Sequence, residues 1–195
     1  GLGNNLWASV PTHWLDLGLE ADAKALPTTA NGHPVYGVFF PEEWISTNTA
    51  DYAEGTSYRN PSPTGTATGD EAEALYEVVD STIYNHDCCN SFGNAETTGN
   101  PDGPATMEAI YFGNCTYFGS GSGNGPWLLA DLEAGTFPSM NIDDPDIPSL
   151  DIPRYATLML KGFSGDRFGL KHGDAQGGPL TTQWDGRRPT EEASG

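Results

Sequence analysis

The chain has 195 residues, enough for one domain of ordinary size whose core does not depend on cross-links. Glycine (25) and proline (15) are over-represented and no long heptad or 3.6-residue apolar pattern is present, so the composition points to a β-rich fold with many turns. Eight Lys+Arg against 27 Asp+Glu leave a formal charge of −19, which argues against nucleic acid and against an anionic membrane as partners. That charge suits a soluble protein with a neutral ligand, and solubility alone would also account for it.

No run approaches the ~18–20 apolar residues of a membrane helix. No signal peptide is visible, and the sequence opens on Gly1-Leu2-Gly3-Asn4-Asn5, as a processed chain or a piece of a longer one would. Residues 1–32 give no clear element. Residues 35–40 read as a strand, being rich in β-branched and aromatic side chains. Residues 41–69 read mostly as loop, with a breaker cluster at Asn60-Pro61-Ser62-Pro63-Thr64-Gly65. Over 73–80, Leu75, Glu77 and Val79 alternate with Tyr76, Val78 and Asp80, which predicts a strand. Asn85-His86-Asp87 then turns the chain into Cys88-Cys89.

Residues 97–105 form a Gly/Pro/Asn loop, and 107–112 read as a strand. The glycine-rich stretch 119–125 lies between two strong strands, so it reads as a hairpin loop rather than a domain boundary. Residues 127–133 are the clearest strand. Trp127, Leu129, Asp131 and Glu133 share one face, and Leu128, Ala130 and Leu132 share the other. Residues 134–153 read as an acidic, proline-broken loop. Further strands are predicted at 155–161, 167–171 and 180–184, with Asp185-Gly186 as a hairpin-type turn. The last residues, 189–195, are polar and read as a frayed end. Seven or so short strands separated by turns predict a single all-β sandwich domain over residues 1–195.

Asp131 and Glu133 are the first chemical signal. Same-face neighbours on a strand lie ~6.5–7 Å apart at the backbone. Carboxylates that close separate in proton affinity, which acid–base and nucleophilic chemistry exploits. Glycosidases that retain configuration use two carboxyl groups ~5–5.5 Å apart. A solvated strand face is the competing reading, but Trp127 and Leu129 beside the two acids suit a cleft better.

Cys88 and Cys89 are the second signal. Adjacent Cα atoms are ~3.8 Å apart across a trans peptide, below the usual disulfide range. The pair is therefore a strained vicinal disulfide, two free thiols, or a pair of which one member bonds Cys115, the third cysteine. Asn114-Cys115-Thr116 fits a glycosylation sequon, making Asn114 a candidate glycan site. With the adjacent cysteines it leans towards an oxidising, extracellular setting. The four histidines (His13, His33, His86, His172) show no metal-ligand spacing, and Asp143, Asp144, Asp146 and Asp151 lack the glycine of a helix–loop–helix calcium loop. No metal and no cofactor is expected.

Several longer strings are specific in combination: Gly55-Thr56-Ser57-Tyr58-Arg59-Asn60, Gly65-Thr66-Ala67-Thr68-Gly69-Asp70-Glu71, Asp87-Cys88-Cys89, Gly93-Asn94-Ala95-Glu96-Thr97, Met107-Glu108-Ala109-Ile110-Tyr111, Gly123-Asn124-Gly125-Pro126-Trp127 and Asp131-Leu132-Glu133. In these the chain resembles the secreted α-L-arabinofuranosidases of glycoside hydrolase family 54. The likeness covers most of 32–133 and 169–189. It implies a concanavalin-like (jelly-roll) β-sandwich and retaining cleavage of terminal α-L-arabinofuranosyl groups from arabinoxylan or arabinan. It implies Glu133 as nucleophile, Asp131 as an acid that holds sugar hydroxyls, and Cys88-Cys89 as a vicinal disulfide packing against the sugar. Phe118 stands where the family places a sugar-stacking Trp, keeping a smaller apolar wall. Ala134 replaces an Asn that directly follows the nucleophile.

The family's acid/base Asp lies in a Gly-Gly-Asp-Asn segment that these residues do not contain, and the family domain also extends ahead of Gly1. The expectation is thus a central portion of the catalytic domain. Asp166, Asp174 and Asp185, the remaining acids near the C-terminus, have no assigned place opposite Glu133. A non-catalytic carbohydrate-binding or structural sandwich is the alternative, motivated by Phe118, Ala134 and the missing acid/base.

Overall fold

A computed structural model of the chain describes residues 7–9, 26–38, 44–47, 50–53, 57–59, 64–86, 92–94, 108–117, 119–132, 136–138 and 143–188, and all regular structure among them is β. No helix among the described residues is long and apolar enough to cross a membrane. The chain divides into two compact units, Gly1–Thr66 and Ala67–Gly195.

The first unit holds β1 (Trp7–Ser9), β2 (Leu26–Ala30), β3 (His33–Gly37), β4 (Trp44–Thr47), β5 (Ala50–Ala53) and β6 (Ser57–Arg59). They pair antiparallel as β1–β6, β2–β3 and β4–β5. Three expectations change here. Residues 1–32 contain β1 and β2, and the stretch 41–69, expected to be mostly loop, contains three short strands. The strand expected at 35–40 begins two residues earlier and ends at Gly37, with Phe39 and Phe40 outside the described residues. The β2–β3 turn had a readable signal in Asn31-Gly32. Both residues adopt positive φ (47° and 77°), as a two-residue hairpin turn requires, and Asn-Gly is the pair that tolerates it.

The second unit holds β7 (Glu73–Asp80), β8 (Phe92–Gly93), β9 (Ala109–Gly113), β10 (Ser120–Ser122), β11 (Trp127–Asp131), β12 (Thr136–Phe137), β13 (Asp143–Pro148), β14 (Tyr155–Phe163), β15 (Arg167–Asp174) and β16 (Thr181–Arg187). One sheet runs β12-β11-β9-β8 and the other β16-β15-β14-β7, all antiparallel. Their facing side chains form one core: Ile110, Phe112, Leu128, Ala130, Leu132 and Phe137 from the first sheet, and Ala156, Leu158, Leu160, Phe168 and Leu170 from the second. Each large apolar side chain so buried contributes about 1.5–3 kcal/mol. This is the two-sheet sandwich expected from the sequence.

The strand at 73–80 and the alternation along 127–132 are as predicted. The hairpin joining β9 to β11 is present, with Gly113 opposite Trp127, but its loop includes β10. The acidic loop at 134–153 contains β12 and β13. Although β13 carries two prolines, it pairs parallel to β10 and buries Ile147. The turn expected at Asp185-Gly186 is instead the middle of β16, opposite Gly169 and Phe168. Glycine stands at 186 because a Cβ there would lie 2.6 Å from the Trp184 ring, which folds back over it.

The inward row of the second sheet contains a carboxyl group. Glu77 lies opposite the buried Leu158, between Leu75 and Val79, and His172 lies opposite Leu158 from the far side. Burial holds the Glu77 carboxyl up at about 7, from an ordinary 4.5, and pulls the His172 imidazole below its ordinary value. Because the Glu77 value is raised on folding, its contribution is full below pH ~4.5 and is lost as pH rises through about 7. Glu77→Gln is expected to flatten the stability profile between pH 5 and 8. The difference should be on the order of 3 kcal/mol between the two ends. Thermal melts across that range check it. Parallel profiles for the two proteins would show that Glu77 does not titrate there.

Candidate active site

Strand β11 carries two buried faces. Leu128, Ala130 and Leu132 enter the core between the sheets. Trp127 and Leu129 face the other way and form a second cluster with Tyr111 of β9 and Ile147 of β13, with Cys115 and Trp184 packed on it. Trp127 is held by its Nε1–H, which donates to the Ser122 carbonyl (2.8 Å). The Cys115 N–H donates to Tyr111 Oη (2.8 Å), so the chain leaving β9 is tied to the same cluster. Cys115 is a free, half-buried thiol.

Asp131 ends β11 on the Trp127/Leu129 face and is 5% exposed. Its cross-strand neighbours are Ala109 and Thr136, and Gly93 lies beyond Ala109 on β8. Leu132 keeps the strand alternation, since it points into the core. Of the site residues expected from the sequence, Asp131 and Asn114 are placed by the structure. Glu133, Cys88, Cys89 and Phe118 lie outside the described residues. Asn114 is half-buried, and its Oδ1 lies 2.9 Å from His86 Nδ1.

The three C-terminal acids all belong to the opposite sheet or its turns. Asp185 is ion-paired with Arg167. Asp174 Oδ1 accepts the Gln176 N–H (2.8 Å), and Asp166 sits in the β14–β15 turn with φ 56°.

Two features were not expected from sequence. Gln183 is the extra residue of a bulge in β16, and its Nε2–H donates to the Leu128 carbonyl (2.7 Å). A side chain of the second sheet thus occupies a carbonyl of β11, the strand that bears Asp131. The second is a polar group at one end of the interior. Glu108, directly before β9, is ion-paired with Arg188, just after β16. Asn94 Oδ1 accepts the Glu108 N–H (2.7 Å), while Asn94 Nδ2 donates to Glu73 (3.2 Å).

The profile of the family described as alpha-L-arabinofuranosidase B, catalytic, matches residues 8–194. The chain belongs to this family. A Penicillium canescens α-L-arabinofuranosidase B is 42% identical over 195 residues, covering 97% of this chain and 39% of the relative. An Emericella nidulans α-L-arabinofuranosidase B is 44% identical over 176 residues, covering 90% and 32%. A Trichoderma koningii relative named arabinofuranosidase/β-xylosidase is 43% identical over 173 residues, covering 87% and 31%.

Among solved structures, an arabinofuranosidase complexed with arabinofuranosyl-α-1,2-xylobiose matches with TM-score 0.72 at 40% identity, covering 87% of this chain and 32% of that one. A glycoside hydrolase family 54 α-L-arabinofuranosidase soaked with a cyclic sulfate inhibitor matches with TM-score 0.71 at 41% identity, with the same coverage. The chain therefore spans about a third of the length of the arabinofuranosidases it matches, and the sandwich of its second unit is a feature of the family fold.

Proposed function

We propose that this chain forms the nucleophile-bearing part of a secreted, retaining α-L-arabinofuranosidase that releases terminal α-L-arabinofuranosyl groups from arabinoxylan or arabinan. One observation carries the reading. A buried carboxylate, Asp131, ends β11 two residues before Glu133, on a face turned away from the inter-sheet core.

In this reading Glu133 attacks the anomeric carbon and a covalent glycosyl-enzyme forms. Asp131 holds sugar hydroxyls, and Cys88, Cys89 and Phe118 offer the apolar surface on which the furanose rests. A second carboxylic acid protonates the leaving oxygen and then activates water. Asp166, Asp174 and Asp185 lie in the other sheet and its turns, and none of them is assigned that part. The family places it in a Gly-Gly-Asp-Asn segment absent from residues 1–195.

The test is turnover of 4-nitrophenyl α-L-arabinofuranoside by the protein in its natural length, with the anomeric form of the first product read by NMR. Release of α-arabinofuranose is the expected result. A β product would sink the retaining mechanism, and no release would sink the activity. The matching β-D-xyloside belongs in the same assay, because of the relative named for both activities.

A further inference from the structure

The end of β9 grips the chain just ahead of the cysteine pair. Asn85 forms a parallel bridge with Gly113: its N–H donates to the Phe112 carbonyl (3.0 Å), and its own carbonyl accepts the Asn114 N–H (2.9 Å). The bridge needs glycine at 113, because a Cβ there would run into the Asn85 carbonyl and lie 2.5 Å from Tyr111 Oη. One residue on, His86 Nδ1 is 2.9 Å from Asn114 Oδ1, and in its Nδ1–H tautomer the imidazole donates to that oxygen. The Tyr84 ring packs against His86 (centroids 4.9 Å apart) and meets Phe112 edge-on (6.2 Å).

Strand β9 is in turn registered on β11, with Ala109 opposite Asp131. His86, two residues before Cys88, is therefore tied through one strand to the strand that bears Asp131.

We propose that His86 and Asn114 are positioning residues, whose side-chain hydrogen bond fixes where the Cys88-Cys89 segment departs relative to Asp131 and so sets the fit of the sugar. The proposal rests on reading the two cysteines as the sugar platform. It also assigns the Asn114 side chain a task separate from its sequon: Oδ1 serves His86, and Nδ2 is the atom a glycan would use.

Three variants separate these roles. His86→Ala removes the bond. His86→Asn restores a donor at the same distance from Cβ. Thr116→Ala destroys the sequon and leaves the bond. On 4-nitrophenyl α-L-arabinofuranoside, His86→Ala is expected to raise KM by roughly 3- to 10-fold, as loss of one hydrogen bond would, with kcat little changed. His86→Asn and Thr116→Ala should stay at the wild-type KM.

A second readout needs no activity: the rate at which Cys88 and Cys89 are alkylated after a brief reductant pulse, followed by peptide mass on samples whose thermal melts confirm folding. His86→Ala should be faster than wild type, and His86→Asn and Thr116→Ala should match it. Unchanged KM and alkylation in His86→Ala would overturn the proposal. So would Thr116→Ala reproducing the His86→Ala effect, since the glycan would then be responsible. If the unsubstituted protein turns over no arabinofuranoside, the enzymatic reading fails and the alkylation rates alone decide the positioning one.

Discussion

Glu133→Gln is expected to lower kcat on 4-nitrophenyl α-L-arabinofuranoside by roughly 10³-fold or more while leaving the fold intact. The amide matches the carboxylate in size but cannot form the ester bond to the anomeric carbon. Glu133→Ala gives a sharper result. With the carboxylate gone, added azide can attack from the vacated side, so turnover should recover and yield the inverted glycosyl azide. Recovery with retained configuration would instead mark Glu133 as the acid/base.

Asp131→Asn provides the contrast. Asp131 is buried between Ala109 and Thr136 and does not bond to the sugar carbon in this mechanism, so the variant should retain measurable turnover with weaker substrate binding. Wild-type turnover in Glu133→Gln would remove Glu133 from the chemistry.

Removing Arg188 from the Glu108–Arg188 pair is expected to cost about 3–5 kcal/mol, because it leaves the buried Glu108 carboxylate without the cation that faces it. The side chains are only 7% and 20% exposed, and burial already pulls the Arg188 guanidinium below its ordinary value, with the Glu73 charge opposing. The Glu108 carboxylate lies against Gly162 of β14, and the second sheet ends its last strand at Arg187, next to Arg188. The pair thus joins the two sheets at one end of the core.

Arg188→Met should lower the melting temperature by roughly 10 °C, and Glu108→Gln by less, since the Glu73 charge still acts on Arg188. The double variant Glu108→Leu/Arg188→Met, which buries no charge, should recover much of the loss. Single variants melting within about 2 °C of wild type would mean that the charges stay solvated and the sheets do not depend on them.

The strands at 73–80 and 127–131 were legible because a period of two, with apolar residues on at least one face, has no helical counterpart. The carboxylate at the end of β11 was legible for the same reason: alternation alone puts Asp131 opposite Leu128, Ala130 and Leu132. The β2–β3 hairpin was present in Asn31-Gly32 and went unread because its flanking residues are not strongly apolar. The strand β13 could not be read. Asp143-Asp144-Pro145-Asp146-Ile147-Pro148 has the composition of a solvated loop, and it becomes a strand only where β10 offers backbone partners and Tyr111, Trp127 and Leu129 accept Ile147.

Alternation, turn pairs and charge balance are local properties, and from them the sequence by itself determined an all-β chain, the face on which Asp131 stands, and a strongly acidic charge balance. Its resemblance to family 54 carried the expected chemistry. Only the tertiary structure decided what acts across distance. It turned Asp185-Gly186 from a turn into a strand, because Gly169 and Phe168 of β15 pair with them. It brought Arg188 to Glu108 and Gln183 to the Leu128 carbonyl. It set His86 against Asn114, a sequon residue 28 positions away in the chain. The reason is common to all four. A polar side chain or a close approach is explained by the partner that satisfies or requires it, and here the decisive partners come from packing or from other strands, which no periodicity records.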